Sequence, residues 1–288
     1  MDFLAFSPSI LYNKLMAGSP DAALPDSSKK ENPMKEQLYT IPLNDAVDAK
    51  DECPFCFIER AVEQDLIDFV LGSSASYMEA DVRDMTDKAG FCRTHFQKMF
   101  DYGNTLGNAW ILKTHYRRII NEFKEQARGF APGKLSFKEK LMRPKGDAPV
   151  SSFGSWVQKK EESCYVCKHF QDTYERYVDT FFYLYKQDDV FRDKIKDSKG
   201  FCLSHFGDLC DAAELKLGDK EKADFYAMVL PLMEKNLERV SEDVAWMVEM
   251  FDYQNAGADW KNSKDAIQRG MQKLKGGYPA DGPYKMKK

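Results

Sequence analysis

Apolar residues recur along most of the chain at a spacing near 3.6, the period of a helix with one buried face, and the strict alternation that marks strands is almost absent. Phe57 to Leu71 carries Ile58, Ala61, Val62, Leu66, Phe69 and Val70 on this period, with Gly72 placed to cap its end. Cys92 to Tyr102 and Ala109 to Arg128 predict two more helices, punctuated by Gly90 and Gly107. Cys164 to Lys186, Cys202 to Leu217 and Ser263 to Leu274 read the same way. Asp219 to Tyr253 is also helical in pattern, and Pro231 predicts a kink or a split in it, because proline removes a backbone donor and crowds the preceding turn. Tyr39-Thr40-Ile41-Pro42-Leu43, inside 35–52, reads instead as a short extended lead-in. Tyr174, Tyr177, Phe181, Phe182, Tyr183 and Tyr185 fall at helical spacing and read as core rather than as a ligand box. The predicted class is all-α.

Breaks in the pattern divide the chain. Residues 1–33 are rich in Ser, Pro and Asp with no sustained period and read as a disordered N-terminal extension, with Met34 as an alternative start. A first helical repeat spans 34–128, a Gly-, Pro- and Ser-rich linker 129–160, a second repeat 161–218, C-terminal helices 219–275 and a flexible tail 276–288.

Cysteine and histidine change this picture from a set of helices to an internal duplication. Cys53-Pro-Phe-Cys56 is followed by Gly90-Phe91-Cys92-Arg-Thr-His95-Phe96, and Cys164-Tyr-Val-Cys167 by Gly200-Phe201-Cys202-Leu-Ser-His205-Phe206. The intervening stretches are 35 and 34 residues long, so the two patterns match within one residue. Cys-x-x-Cys lets two sulfurs reach one ion from a tight turn, and residues three apart on a helix project from one face. Both Cys-x-x-His segments follow a glycine and open a predicted helix, where free N–H groups and the helix dipole favour thiolate. The expectation is two modules, each fastened by its own Cys3His site: Cys53, Cys56, Cys92 and His95 in the first, Cys164, Cys167, Cys202 and His205 in the second.

Such a donor set suits two structural zinc ions, since four protein ligands close a tetrahedral ion without leaving a position for substrate. An iron–sulfur cluster in each half and thiol redox chemistry are the alternatives, although no thioredoxin-like alternation of strands and helices surrounds Cys53-Pro-Phe-Cys56. Cysteines that merely pack are the remaining reading. Cys210 stands outside the pattern and reads as a packed residue beside Phe206 and Leu209; His169 lacks a counterpart in the first half and is left out; His115 reads as a surface or groove residue. There is no Gly-rich phosphate loop, nucleophile elbow or His-Glu-x-x-His, so a non-enzyme is favoured.

Charge narrows the partners. A net charge of −4 disfavours wholesale binding to nucleic acid or anionic membranes. One local exception is 113–145, with ten Lys and Arg against three Glu; 161–254 carries twelve against twenty-one acids. Both read as solvated faces; the sharper readings are that the basic stretch contacts phosphate or an acidic partner, or folds back on the acidic half of the chain, with nucleic-acid binding through 113–145 as the further alternative. Asp2 and the Ser7-Pro8-Ser9 break speak against a secretory signal, no run of about 18 apolar residues exists, and paired Cys-x-x-Cys units suit a reducing compartment. The expectation is a cytoplasmic interaction or regulatory scaffold with a protein partner.

Met34-Lys-Glu-x-x-Tyr-Thr-Ile-Pro, the two Cys-x-x-Cys and Gly-Phe-Cys-x-x-His-Phe segments, Phe251-Asp-Tyr and Asn262-Ser-Lys-Asp-Ala266 together resemble an uncharacterised bacterial family, a domain of unknown function. The similarity runs from Met34 to the C-terminal region and leaves residues 1–33 outside. It implies no reaction and no partner.

Overall fold

The computed structural model describes residues 33–131 and 151–287, with side chains from Leu38 onward. Residues 1–32 of the expected extension and 132–150 of the expected linker, which include most of the second half of the basic stretch, lie outside the described residues. The described residues form helices joined by turns and contain no strand. Its helices are α1 (Pro33–Asp48), α2 (Pro54–Leu71), α3 (Ala80–Ala89), α4 (Arg93–Tyr102), α5 (Thr105–Arg128), α6 (Ser152–Glu161), α7 (Tyr165–Gln187), α8 (Asp189–Lys196), α9 (Leu203–Lys216), α10 (Asp219–Glu249) and α11 (Ala266–Lys275).

The all-α class is as expected, and the departures from the predicted elements have local causes. Tyr39 to Leu43 is helical, not extended: Leu43, Ala46 and Val47 sit three to four residues apart and are fully or nearly fully buried. Burial of that stripe outweighs the β-preference of Thr40 and Ile41. Helix α10 is not split at Pro231. Both Pro231 and Ala227, whose carbonyl loses its helical donor, are exposed, so water can satisfy the freed group. Part of the stretch read as linker forms α6, capped by Ser151 Oγ accepting from the Gly154 N–H at 3.0 Å. Its Phe153 and Trp156 rings lie 5.5 and 6.2 Å from Phe123.

The chain folds as two interleaved compact units, not as two sequential repeats. One comprises the described residues up to Val62 together with Gln171–Asp281; the other comprises Glu63–Phe170 together with the described residues from Gly282. The core of the first is aromatic. Phe55 packs on Tyr174 and Phe181 at 5.7 Å each and on Phe201 at 6.2 Å, and Phe181 packs on Phe191 at 5.6 Å. Tyr174, Tyr177, Phe181, Phe182 and Tyr185 are buried, as their spacing predicts, whereas Tyr183 faces outward. The core of the second unit gathers Ile67, Val70 and Leu71 of α2, Tyr77, Phe91, Met99, Tyr102, Ile111, Tyr165 and Val166. Each such side chain contributes roughly 1.5–3 kcal/mol relative to leaving it exposed.

Candidate metal centres

Two local devices each occur twice. Cys56 and Cys167 lie in the first turns of α2 and α7, each with its partner cysteine, Cys53 or Cys164, just ahead of the helix. Cys92 and Cys202 are the N-cap residues of α4 and α9, both extended (φ −72° and −73°), which places His95 and His205 in the first helical turn. The preceding glycines have positive φ, +64° at Gly90 and +72° at Gly200. A Cβ there would approach His115 Cε1 to 3.0 Å and Met233 Sδ to 3.1 Å, so Gly-Phe-Cys needs glycine for both conformation and space. The adjoining Phe91 and Phe201 are buried and anchor each segment. Helix N-termini therefore converge on the sulfurs and favour their thiolate form.

The eight expected residues form two groups of four, with the pairing exchanged. Cys53 and Cys56 meet Cys202 and His205, and Cys164 and Cys167 meet Cys92 and His95. The expected pairing of 53 and 56 with 92 and 95, and of 164 and 167 with 202 and 205, is overturned. The physical reason lies in the second unit, where the Tyr165 N–H donates to the Gly90 carbonyl at 2.8 Å and sets the second Cys-x-x-Cys against the first Gly-Phe-Cys. In the first unit Phe55, between Cys53 and Cys56, packs on Phe201 and on the His205 ring, the latter at 5.7 Å.

The donor atoms are spaced as one tetrahedral ion requires. With metal–sulfur distances of about 2.3 Å and metal–nitrogen of about 2.05 Å, a tetrahedron puts sulfurs about 3.75 Å apart and sulfur about 3.5 Å from nitrogen. In the first unit, Cys56 and Cys202 sulfurs are 3.7 Å apart, and His205 Nδ1 is 3.3, 3.6 and 3.1 Å from the sulfurs of Cys53, Cys56 and Cys202. In the second, Cys92 and Cys167 sulfurs are 3.8 Å apart, and His95 Nδ1 is 3.1, 3.3 and 3.3 Å from Cys92, Cys164 and Cys167. All seven cysteines are free thiols, and these sulfur separations are far beyond the roughly 2.05 Å of a disulfide.

Electrostatics point the same way. The Cys202 thiol is held well below its ordinary range by hydrogen bonds from Cys53 and Cys56, and Cys56 is pushed well above it by Cys202 and Cys53. Cys92 and Cys167 show the same split, lowered and raised respectively. Three sulfurs this close cannot all ionise unless a cation lies among them.

Sequence reasoning missed two residues. His95 Nε2 lies 2.8 Å from Glu63 Oε1, and His205 Nε2 lies 3.1 Å from Glu59 Oε1. A carboxylate on the far nitrogen fixes the tautomer that aims Nδ1 at the metal position and raises its basicity. The visible signal was acidic residues three and seven positions after Cys56 on an otherwise amphipathic helix. Burial pushes Glu63 up, but His95, Lys98 and Tyr284 outweigh it and hold the carboxyl at about 2. Because this pKa is depressed from 4.5, its stabilising contribution is complete above about pH 4.5 and lost as pH falls toward 2. Burial alone would lower His95; Cys164, Cys92 and Glu63 raise it to about 11, so protons and a metal compete for this nitrogen. Glu59→Gln and Glu63→Gln should each weaken metal binding at the adjoining site by about 10- to 100-fold, measured by competition with a chromogenic chelator. Unchanged affinity in both would remove the carboxylates from the site.

The residues set aside by sequence lie outside both groups. Cys210 is half-buried on α9, its carbonyl accepting from Tyr226 Oη at 3.3 Å, and the His169 ring packs 4.4 Å from Tyr165. His115 Nδ1 donates to the Asp87 carbonyl at 3.0 Å beside Gly90. Among the described residues no helix is long and apolar enough to cross a membrane. The model of a family of unknown function matches residues 34–281 of the chain. No curated protein and no solved structure matches it.

Proposed function

The chain belongs to this family of unknown function (DUF6062), and we propose that it holds two zinc ions in closed Cys3His sites and serves as a cytoplasmic interaction or regulatory scaffold for a protein partner. The observation that carries the reading is the fit of three sulfurs and one imidazole nitrogen, in each group, to the edges of one tetrahedron. Cys53, Cys56, Cys202 and His205 would hold one ion, and Cys92, His95, Cys164 and Cys167 the other. Zinc is redox-inert and, with four protein donors, has no open position for water or substrate, so its contribution is to fasten helices. Free, closely spaced thiols suit a reducing compartment.

A cluster would divide the four ligands among two or four irons and spread the donors apart; separations of 3.1–3.8 Å favour a single ion. Anaerobically purified protein should be colourless and contain two zinc ions per chain by elemental analysis. Brown protein with iron and sulfide, or metal-free protein that melts identically with and without chelator, would sink the proposal.

A further inference from the structure

Within the first unit, the end of α8, the middle of α10 and the segment entering α11 line an open cleft of about 720 Å³. Its walls carry Lys199, Lys235, Arg239, Lys261, Lys264 and Arg269. The surrounding sequence is acidic, with twenty-one Asp and Glu against twelve Lys and Arg over 161–254. Only Asp197, Asp243 and Asp265 among those lining residues are acids, and the last two are engaged by Arg269 at 2.9 and 2.8 Å.

Beneath the cations lies Glu52, 2% exposed, with Arg239 at 2.5 Å, Lys273 at 3.3 Å and Lys199 and Arg269 at 3.7 Å. Lys273 is itself 1% exposed. Arg239, Lys273 and Lys199 thus share the single charge of Glu52, and Arg269 has only Asp243 and Asp265 beside it, so positive charge is in excess here. Lys235 and Lys264 are exposed and form no ion pair among the described residues. Arg239 is also fixed in place: its Nε donates to Asn236 Oδ1 at 3.0 Å and its Nη2 to Glu52, leaving Nη1 without a partner among the described residues. Holding like charges together in this way costs free energy, which an anion in the cleft would offset.

We infer that the cleft binds a compact anion carrying two or more phosphoryl groups. A phosphoryl group brings about −1.5 to −2 charges and three strong acceptors, the densest match for one fixed guanidinium and several mobile ammonium groups. Among the described residues no aromatic side chain lines the cleft to stack a nucleobase, and the class is a phosphorylated small metabolite rather than a nucleotide. None of the lining residues is a metal donor, and the assignment does not depend on the identity of the ion.

Calorimetric titration of the full-length chain with fructose 1,6-bisphosphate at about 0.15 M salt tests it. One saturable site per chain is expected, at least about tenfold tighter than for fructose 6-phosphate. Lys235→Glu with Lys264→Glu should weaken binding at least about tenfold without moving the melting temperature of the unliganded protein, since both side chains are exposed. Absence of saturable heat, or unchanged affinity in the double variant, overturns the site. Citrate binding as tightly as the bisphosphate overturns the phosphoryl assignment.

Discussion

Replacing Cys53 and Cys202 together by alanine is expected to leave one metal ion per chain, while replacing Cys53 and Cys92 together is expected to leave none. Cys53 and Cys202 belong to one group of donors, so the second substitution strikes a site already broken by the first. Cys53 and Cys92 belong to different groups, so each substitution breaks its own. Pairing in sequence order makes the opposite prediction, none for the first double variant and one for the second. Zinc in a small structural site contributes about 10–16 kcal/mol, against a net domain stability of about 5–15 kcal/mol, so each loss should also abolish cooperative melting of the unit concerned. Elemental analysis after desalting, with far-UV circular dichroism on the same samples, reads both effects. Equal metal content in the two double variants would refute the exchanged pairing.

The exchange has an energetic consequence. The first group joins residues 146 to 152 apart in sequence, and the second joins residues 69 to 75 apart. Pairing in order would close loops of roughly half the shorter length. Closure entropy grows by only about 0.6 kcal/mol for each doubling of a loop, so the longer closures are affordable beside the worth of the metal. In sequence, the donors of the first group lie on either side of the stretch from Glu63 to Phe170, which supplies all the donors of the second.

What the sequence made legible follows from local rules. The eight donors stand in spacings that only a tight turn or a first helical turn can use, and the helical class follows from period. Pairing was not legible, because intervals of 35 and 34 residues are equally compatible with either partner and the deciding contacts are tertiary: Tyr165 N–H to the Gly90 carbonyl, Phe55 against Phe201. Helix α1 was hidden by β-branched residues whose burial is not a local property. Helices α3 and α8 were hidden for a different reason. Each buries just two residues, Val82 and Thr86 in one, Phe191 and Ile195 in the other, too few to announce a period amid charged neighbours. Glu59 and Glu63 resemble any solvated acids on an amphipathic helix until the histidines they meet are known.

The two groups differ in access, and chelator challenge should release the ion held by Cys92, His95, Cys164 and Cys167 first. Cys92 and Cys167 are half-buried, whereas all four donors of the other group are buried, Cys53 and Cys202 completely. That group is also roofed: a Cβ on Gly276 would lie 3.5 Å from the Cys202 sulfur and 3.7 Å from that of Cys56. The roof is pinned just upstream, where Gln272 Nε2 donates to Asp51 at 2.6 Å and Lys273 Nζ to the Glu52 carbonyl at 2.7 Å. Reaching those sulfurs requires opening this segment, and local opening free energies scale with the buried contacts that must break. A difference of about 1.4 kcal/mol in opening gives about a tenfold ratio of rates, and more is expected here. Release followed with a chromogenic chelator should show two phases of equal amplitude, both faster at lower pH because protons compete for the same donors. Alkylation at the end of the fast phase, with peptide mapping, should mark Cys92, Cys164 and Cys167 and spare Cys53, Cys56 and Cys202; a single phase, or early labelling of the latter three, would contradict the asymmetry. Gly276→Ala should speed the slow phase alone, since alanine is strained at φ +75° and the strain loosens the segment that covers the sulfurs.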